Sequence, residues 1–305
     1  MRIGYIGLGA MGGALARHLI DKFPLNVFDL NEKAVTAFVE LGATAAATPA
    51  ELARNSDVVL LCLPRSSDVQ AVLFGANGVA EGLAPGKIVI DQTSGVPAET
   101  AGFARQLEEM DVVLFDAPVS GAMATAIAGT ISIIASGPHD AFQKTLPVLQ
   151  AISPNVFHCG ERVGNGQTMK TVNNMMNVSC RLATLEVVAM GRKFGLPLEL
   201  MTESINATTA RNYTSQGMLP AIAEGRQSTK FWLALQVKDI HQAIGLAAEQ
   251  KVPMPIGGAA RSLLQIGLNA LGKDAQLEQM IGVIESMADT KFVGTPINVV
   301  NQEAK

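Results

Sequence analysis

The sequence predicts an α/β fold: a doubly wound, mostly parallel N-terminal domain, then an all-α C-terminal domain, joined by a long helix. Three observations predict it. Over roughly the first 160 residues, short apolar runs alternate with helical patterns, the rhythm of βαβ units. The first of these runs passes into the first helix through Gly7-Leu8-Gly9-Ala10-Met11-Gly12. After Gly166 the rhythm changes, and apolar residues recur only at helical spacing.

Strands are predicted over residues 3–6, 25–28, 58–63, 88–90, 112–115, 131–135 and 155–158, each a short apolar run. Between them lie helical stretches such as 11–21, 32–41, 97–110 and 140–152. The long helix is predicted over 167–194. Met169, Val172, Met176, Leu182, Leu185, Val188 and Ala189 recur there with helical period, and no proline intervenes. Gly195-Leu196-Pro197 ends it. Further helices are predicted over 198–205, 218–223, 234–250, 256–271 and 277–287. The expected domains are therefore 1–162 and 163–305, with no repeat or low-complexity linker.

Composition narrows the function. A chain of 305 residues with 48% hydrophobic and 16% charged residues buries a sizeable core and is not disordered. It is apolar enough that a partner subunit is expected to cover part of it, as a homodimer or homotetramer. A net charge of −4 gives no basic footprint for nucleic acid or an anionic membrane. Cys62, Cys159 and Cys180 are too scattered for a disulfide framework and are expected to be buried thiols. His18, His139, His158 and His241 show no ligand spacing, so no metal is expected. No apolar run reaches about 18 residues, and the N-terminus starts directly into a strand pattern without a signal-peptide charge and cleavage site. The expectation is a soluble cytoplasmic protein.

The Gly-rich turn matches G-x-G-x-x-G in the context the motif needs, after a strand and opening a helix. The first glycine permits a tight turn, the second lets backbone approach a pyrophosphate, and the third allows close helix–sheet packing. Asp29 ends the second strand, where its carboxylate can accept from ribose hydroxyls. That carboxylate repels a 2′-phosphate, and Leu30 and Asn31 supply no arginine, so NAD is favoured over NADP. Lys33 or a more distant cation is the remaining route to a phosphate.

A second constellation comprises Asp116-Ala117-Pro118-Val119-Ser120-Gly121-Ala122, Gly129-Thr130, the segment from Gly164 to Asn174, and Lys238-Asp239. The Ser120 loop follows a sheet strand at its carboxyl end, where ligands of open α/β sheets bind. Small residues there expose backbone N–H groups suited to a carboxylate. Lys170 and Asn174 are four apart and share a helix face. Such a lysine either snorkels to solvent or serves chemistry; Gly164 and Gly166 just before it favour a close approach. Arg211-Asn212-Tyr213 is either a solvated loop or a cation and a phenol in the pocket, suited to a second acidic group on a substrate.

Together these segments resemble the β-hydroxyacid dehydrogenase family, which includes 3-hydroxyisobutyrate dehydrogenases and tartronate semialdehyde reductases. The resemblance spans nearly the whole chain, and its motifs occur in the family's order. It implies an N-terminal Rossmann domain and a 6-phosphogluconate dehydrogenase-like all-α domain. It places the catalytic lysine on Lys170 and the substrate-orienting asparagine on Asn174. The carboxylate loop falls on Ser120, Gly121 and Ala122. Cofactor contacts fall on Gly7, Leu8, Gly9, Ala10, Met11 and Gly12, on Leu63 and Pro64, and on Ser94 and Lys238, with Asp239 beside the pocket. Two departures stand out. Ala122 replaces the last glycine of the usual S-G-G, and Thr93-Ser94 replaces the usual S-T pair.

The reading is reversible hydride transfer between NAD and a small β-hydroxy acid, with Lys170 moving the proton. An imine reductase-like enzyme is one rival, disfavoured by a lysine at this position. A non-catalytic NAD-binding sensor or scaffold is the other, disfavoured because Lys170 and the Ser120 loop are both intact.

Overall fold

The computed structural model describes residues 1–293. The chain forms two compact units, Met1–Lys170 and Thr171–Lys305. The first unit runs β1 (Ile3–Ile6), α1 (Ala10–Arg17), β2 (Leu25–Phe28), α2 (Glu32–Val39), β3 (Thr44–Ala45), α3 (Pro49–Arg54), β4 (Val58–Leu61) and α4 (Ser66–Phe74). It continues through β5 (Ile88–Asp91), α5 (Pro97–Glu108), β6 (Val113–Asp116), β7 (Val119–Ser120), α6 (Met123–Ile127), β8 (Ser132–Ala135), α7 (His139–Ile152) and β9 (Val156–His158).

Six strands form one parallel sheet in the order β3-β2-β1-β4-β5-β6. The sheet is buried on both faces, which is why its strands read as continuous apolar runs. Tyr5, Leu60, Ile90 and Phe115 pack on one face, and Ile6, Val59, Leu61 and Val89 on the other. Register decides where chemistry can gather. Ile6 pairs with Phe28 and Leu61, Leu61 with Asp91, and Asp91 with Asp116. The carboxyl ends of five strands therefore stand in one row, and the residues after them line one edge.

The expected fold class is the one observed, with differences in detail. The apolar runs expected over 131–135 and 155–158 do not join the main sheet; they form a second one, β7-β8-β9. The short elements β3, α3, β7 and α6 carry too few residues for a periodic signal. The three cysteines are partly exposed rather than buried, and all are free thiols.

The long helix α8 (Asn165–Phe194) starts two residues before its predicted start, and the unit boundary falls within it, after Lys170. The second unit continues with α9 (Leu198–Ala207), a single π-type turn over Thr214–Met218, α10 (Leu219–Ala223), α11 (Leu233–Glu249), α12 (Pro255–Leu271) and α13 (Met280–Ala288). Two apolar clusters cover successive parts of α8. Met175, Val178 and Leu182 pack with Val237, Ile240 and Leu264, while Leu185 and Val188 pack with Met201, Leu219 and Ile284. Among the described residues, no helix is long and apolar enough to cross a membrane.

Candidate active site

The three glycines after β1 differ in what surrounds them. Gly7 has φ +96°, and a Cβ there would lie 2.3 Å from the Cys62 carbonyl oxygen. A Cβ on Gly12 would lie 2.0 Å from the Gly7 oxygen. These two are required by the fold. Gly9 has nothing within 4 Å of its ideal Cβ and stands directly before α1. Its open side is what a dinucleotide phosphate requires at the start of a helix, whose first N–H groups have no intrahelical partners. The residues present fit the cofactor.

Asp29 follows β2 in the same row. Its Oδ2 accepts from the Leu8 N–H at 2.6 Å, and its Oδ1 from the Asn31 N–H at 2.7 Å. The carboxylate thus pins the Gly-rich turn, and each oxygen keeps a lone pair for a further donor. Leu63 and Pro64 follow β4. The Leu63 N–H donates to Thr93 Oγ1 at 3.1 Å, tying that turn to the Thr93-Ser94 segment after β5.

After β6 the chain builds a clamp that sequence reasoning missed. Asp116 is fully buried. Its Oδ1 accepts from the Gly164 N–H at 2.7 Å and from Ser136 Oγ at 2.6 Å, and its Oδ2 accepts from the Gln167 N–H at 2.7 Å. The Gly166 N–H donates to Ser136 Oγ at 2.8 Å. One carboxylate and one hydroxyl thus hold the start of α8, which explains why the helix begins early. A Cβ on Gly166 would lie 2.3 Å from the Ile134 oxygen, so only glycine allows this approach. The Gln167 side chain reaches Asp91, the buried carboxylate at the end of β5. Burial, with Asp116 nearby, pushes the Asp91 carboxyl up to about 7, and burial raises Asp116 as well. Lys170 comes three residues after Gln167 and is half-buried.

In the Ser120 loop, a Cβ on Gly121 would lie 2.4 Å from Thr125 Oγ1, so glycine is needed. Ala122 is exposed in an ordinary extended conformation just before α6. The departure from S-G-G therefore fits without strain.

In the second unit, Asn174 Nδ2 donates to Asp239 Oδ2 at 3.0 Å, and Lys238 Nζ pairs with Asp239 Oδ1 at 3.1 Å. Asn174, Lys238 and Asp239 are therefore brought together, and Asn173 reaches Asn174 Oδ1 at 3.4 Å. Arg211 is exposed. Its neighbour Asn212 is the structural member of that segment. Its Oδ1 accepts from the Thr214 and Ser215 N–H groups, and its Nδ2 donates to Thr184 Oγ1 on α8.

Comparison with known proteins matches two successive parts of the chain. Residues 2–160 match the NAD binding domain of 6-phosphogluconate dehydrogenase, and residues 164–284 match the NAD-binding domain of NADP-dependent 3-hydroxyisobutyrate dehydrogenase. L-threonate dehydrogenase of Cupriavidus necator is 32% identical over 269 residues, covering 88% of this chain and 91% of that protein. 2-(Hydroxymethyl)glutarate dehydrogenase of Eubacterium barkeri is 33% identical over 298 residues, covering 96% and 98%. The chain belongs to the β-hydroxyacid dehydrogenase family. A solved 3-hydroxyisobutyrate dehydrogenase from Salmonella typhimurium superposes with a TM-score of 0.82 at 26% identity, covering 93% of this chain and 99% of that one. As a β-hydroxyacid dehydrogenase, the chain is an oxidoreductase acting on CH–OH groups with a nicotinamide cofactor.

Proposed function

We propose that this enzyme interconverts a small β-hydroxy acid and its semialdehyde or keto form, with NAD(H) preferred and Lys170 as general acid and base. The observation that carries the reading is the row of strand ends: it carries the open Gly9 turn and Asp29, and ends at the Asp116 clamp three residues before Lys170. Bound nicotinamide supplies or takes up the hydride. Lys170 takes the hydroxyl proton at Nζ in oxidation and returns it in reduction. Backbone N–H groups of Ser120, Gly121 and Ala122 hold the substrate carboxylate, so orientation replaces a bimolecular search. Asp239 fixes the Asn174 amide by accepting one of its N–H bonds, and the other is available to the reacting oxygen. Gly7 to Gly12, Asp29, Leu63, Pro64, Ser94 and Lys238 hold the dinucleotide. In this reading residues 1–162 serve the cofactor, and residues 163–305 serve substrate and subunit contacts.

Asp29 supports NAD over NADP, because its carboxylate opposes a 2′-phosphate. Asp29→Ala is expected to narrow the preference; a wild-type enzyme with higher kcat/KM on NADP contradicts the assignment. Val172, Met176, Val187, Met190 and Phe194 form an exposed apolar stripe on α8, which supports a homodimer or homotetramer. The relatives named above act on threonate and 2-(hydroxymethyl)glutarate, which supports a short, polar hydroxy acid as substrate. The direct test is a screen of short hydroxy acids with NAD and NADP, following reduced-cofactor absorbance. Turnover of at least one acid is expected. Tight NADH binding without turnover of any acid overturns the reading.

A further inference from the structure

Arg181 lies on α8, seven residues beyond Asn174 and on the same face. It is only 9% exposed. Among the described residues no carboxylate lies within ion-pair distance of it, and its Nε has no hydrogen-bond partner. Buried guanidinium groups are otherwise paired, because taking an unpaired charge out of water is costly. A charge kept there calls for an anion. The Tyr213 phenol lies within electrostatic reach of Arg181, and at 59% exposed it is open to a ligand. The placement of Tyr213 is built in. Asn212 is tied to Thr184, one turn beyond Arg181 on α8, and it also turns the chain by accepting from Thr214 and Ser215. Ser215 Oγ in turn donates to Asn206 Oδ1 at 2.7 Å. Thr214 Oγ1, next to Tyr213, is a second buried polar atom without a partner. The π-type turn at Thr214–Met218 follows directly, and such turns are frequent at functional sites.

We propose that Arg181, with Tyr213 beside it, anchors an acidic oxoanion, a carboxylate or sulfonate, carried as the second acidic group of the substrate. Asn174 and Arg181 are two turns apart, about 10.5 Å along the helix axis. A substrate with a single acidic group, held at the Ser120 loop, leaves Arg181 without its anion, so the site selects for diacids. The proposal rests on the reading that Asn174 faces substrate. Its test therefore uses binding and stability as well as turnover.

The probes are glutarate, butyrate and inorganic sulfate, titrated calorimetrically into the full-length enzyme with NADH bound. Glutarate is expected to bind wild type roughly 30-fold or more tightly than butyrate, and Arg181→Gln to remove that advantage while leaving butyrate unchanged. Arg181→Lys should retain part of it, as a point charge without the bidentate fork. Thermal melts give the readout independent of catalysis. Glutarate should raise the Tm of wild type and not of Arg181→Met, while without added anion Arg181→Met should melt at or above wild type. Equal glutarate binding by wild type and Arg181→Gln overturns the proposal, as does a lack of anion binding by wild type. Sulfate binding as tightly as glutarate overturns the substrate assignment in favour of a free-anion site. A fall in solution mass on Arg181→Met shows that the anion belongs to a second copy of the chain, and also overturns it. Failure of the Lys170 mechanism alone would leave all these anion responses intact.

Discussion

Single residues separate what the fold needs from what the chemistry needs. Gly7 and Gly12 are held by clashes within the protein itself, whereas Gly9 faces open space. Gly9→Ala is therefore expected to fold with a Tm within a few degrees of wild type, yet to bind NADH at least about tenfold more weakly, because its Cβ fills the phosphate cradle. Fluorescence titration beside a thermal melt checks both halves, and unchanged NADH affinity would remove the glycine from the cofactor site. The glycines were legible in the sequence because their spacing forms a compact local motif between a strand and a helix, even though the Cys62 carbonyl that crowds Gly7 comes from a distant strand end. Asp91 and Ser136 were not legible. Their partners stand 76 and 30 residues away, and only register and burial bring them together. Asp116 and Gln167 were visible inside motifs, but nothing local said that one caps the other. Arg181 reads in sequence as one more charge on an amphipathic helix. Only its burial and missing counter-charge distinguish it.

At the scale of elements, α8 has several tasks on different faces. Its start is fixed on Asp116, its inner face packs two apolar clusters, and its outer face carries the exposed stripe. The periodicity of the helix was plain in the sequence. Which apolar residues face inward was not, since Met176 and Met190 follow the same spacing as Leu182 and Val188 and yet are 65% and 69% exposed. A double variant, Met176→Glu with Met190→Glu, is expected to reduce the solution mass by light scattering to that of a monomer, with little change in the melting of the subunit itself. A wild-type protein that is monomeric at micromolar concentration contradicts the assembly. The short elements β3 and α3 escaped prediction for the opposite reason: too few residues to establish a period.

For the whole molecule, the buried carboxylates couple stability to pH. The folded Asp91 carboxyl sits near 7, above its unfolded value of about 3.9, and therefore binds a proton more tightly in the native state. Its contribution is fully present below about pH 4 and is lost as pH rises through 7. Raised Asp116 acts in the same direction. Native stability should thus decline between about pH 4 and 7 by an amount of order 4 kcal/mol at most from Asp91. Asp91→Asn should flatten that limb and melt higher than wild type at pH 8. Chemical denaturation across the range checks this, and identical slopes for wild type and variant would show that Asp91 does not carry the linkage.

The central claim is that Lys170 moves the proton at the reacting hydroxyl. Steady-state kinetics of wild type, Lys170→Ala and Lys170→Arg on the best hydroxy acid, beside NADH titration, test it most directly. Alanine is expected to lower kcat/KM by roughly 10²–10⁴-fold, the usual share of general acid–base catalysis. Arginine should be nearly as damaging, because a guanidinium does not release its proton at working pH. NADH affinity should change little, since the dinucleotide is assigned mainly to the Gly-rich turn and Asp29. A Lys170→Ala enzyme within about threefold of wild type, a barrier change under 1 kcal/mol, would contradict the account and move the proton transfer to Lys238 or Asp239.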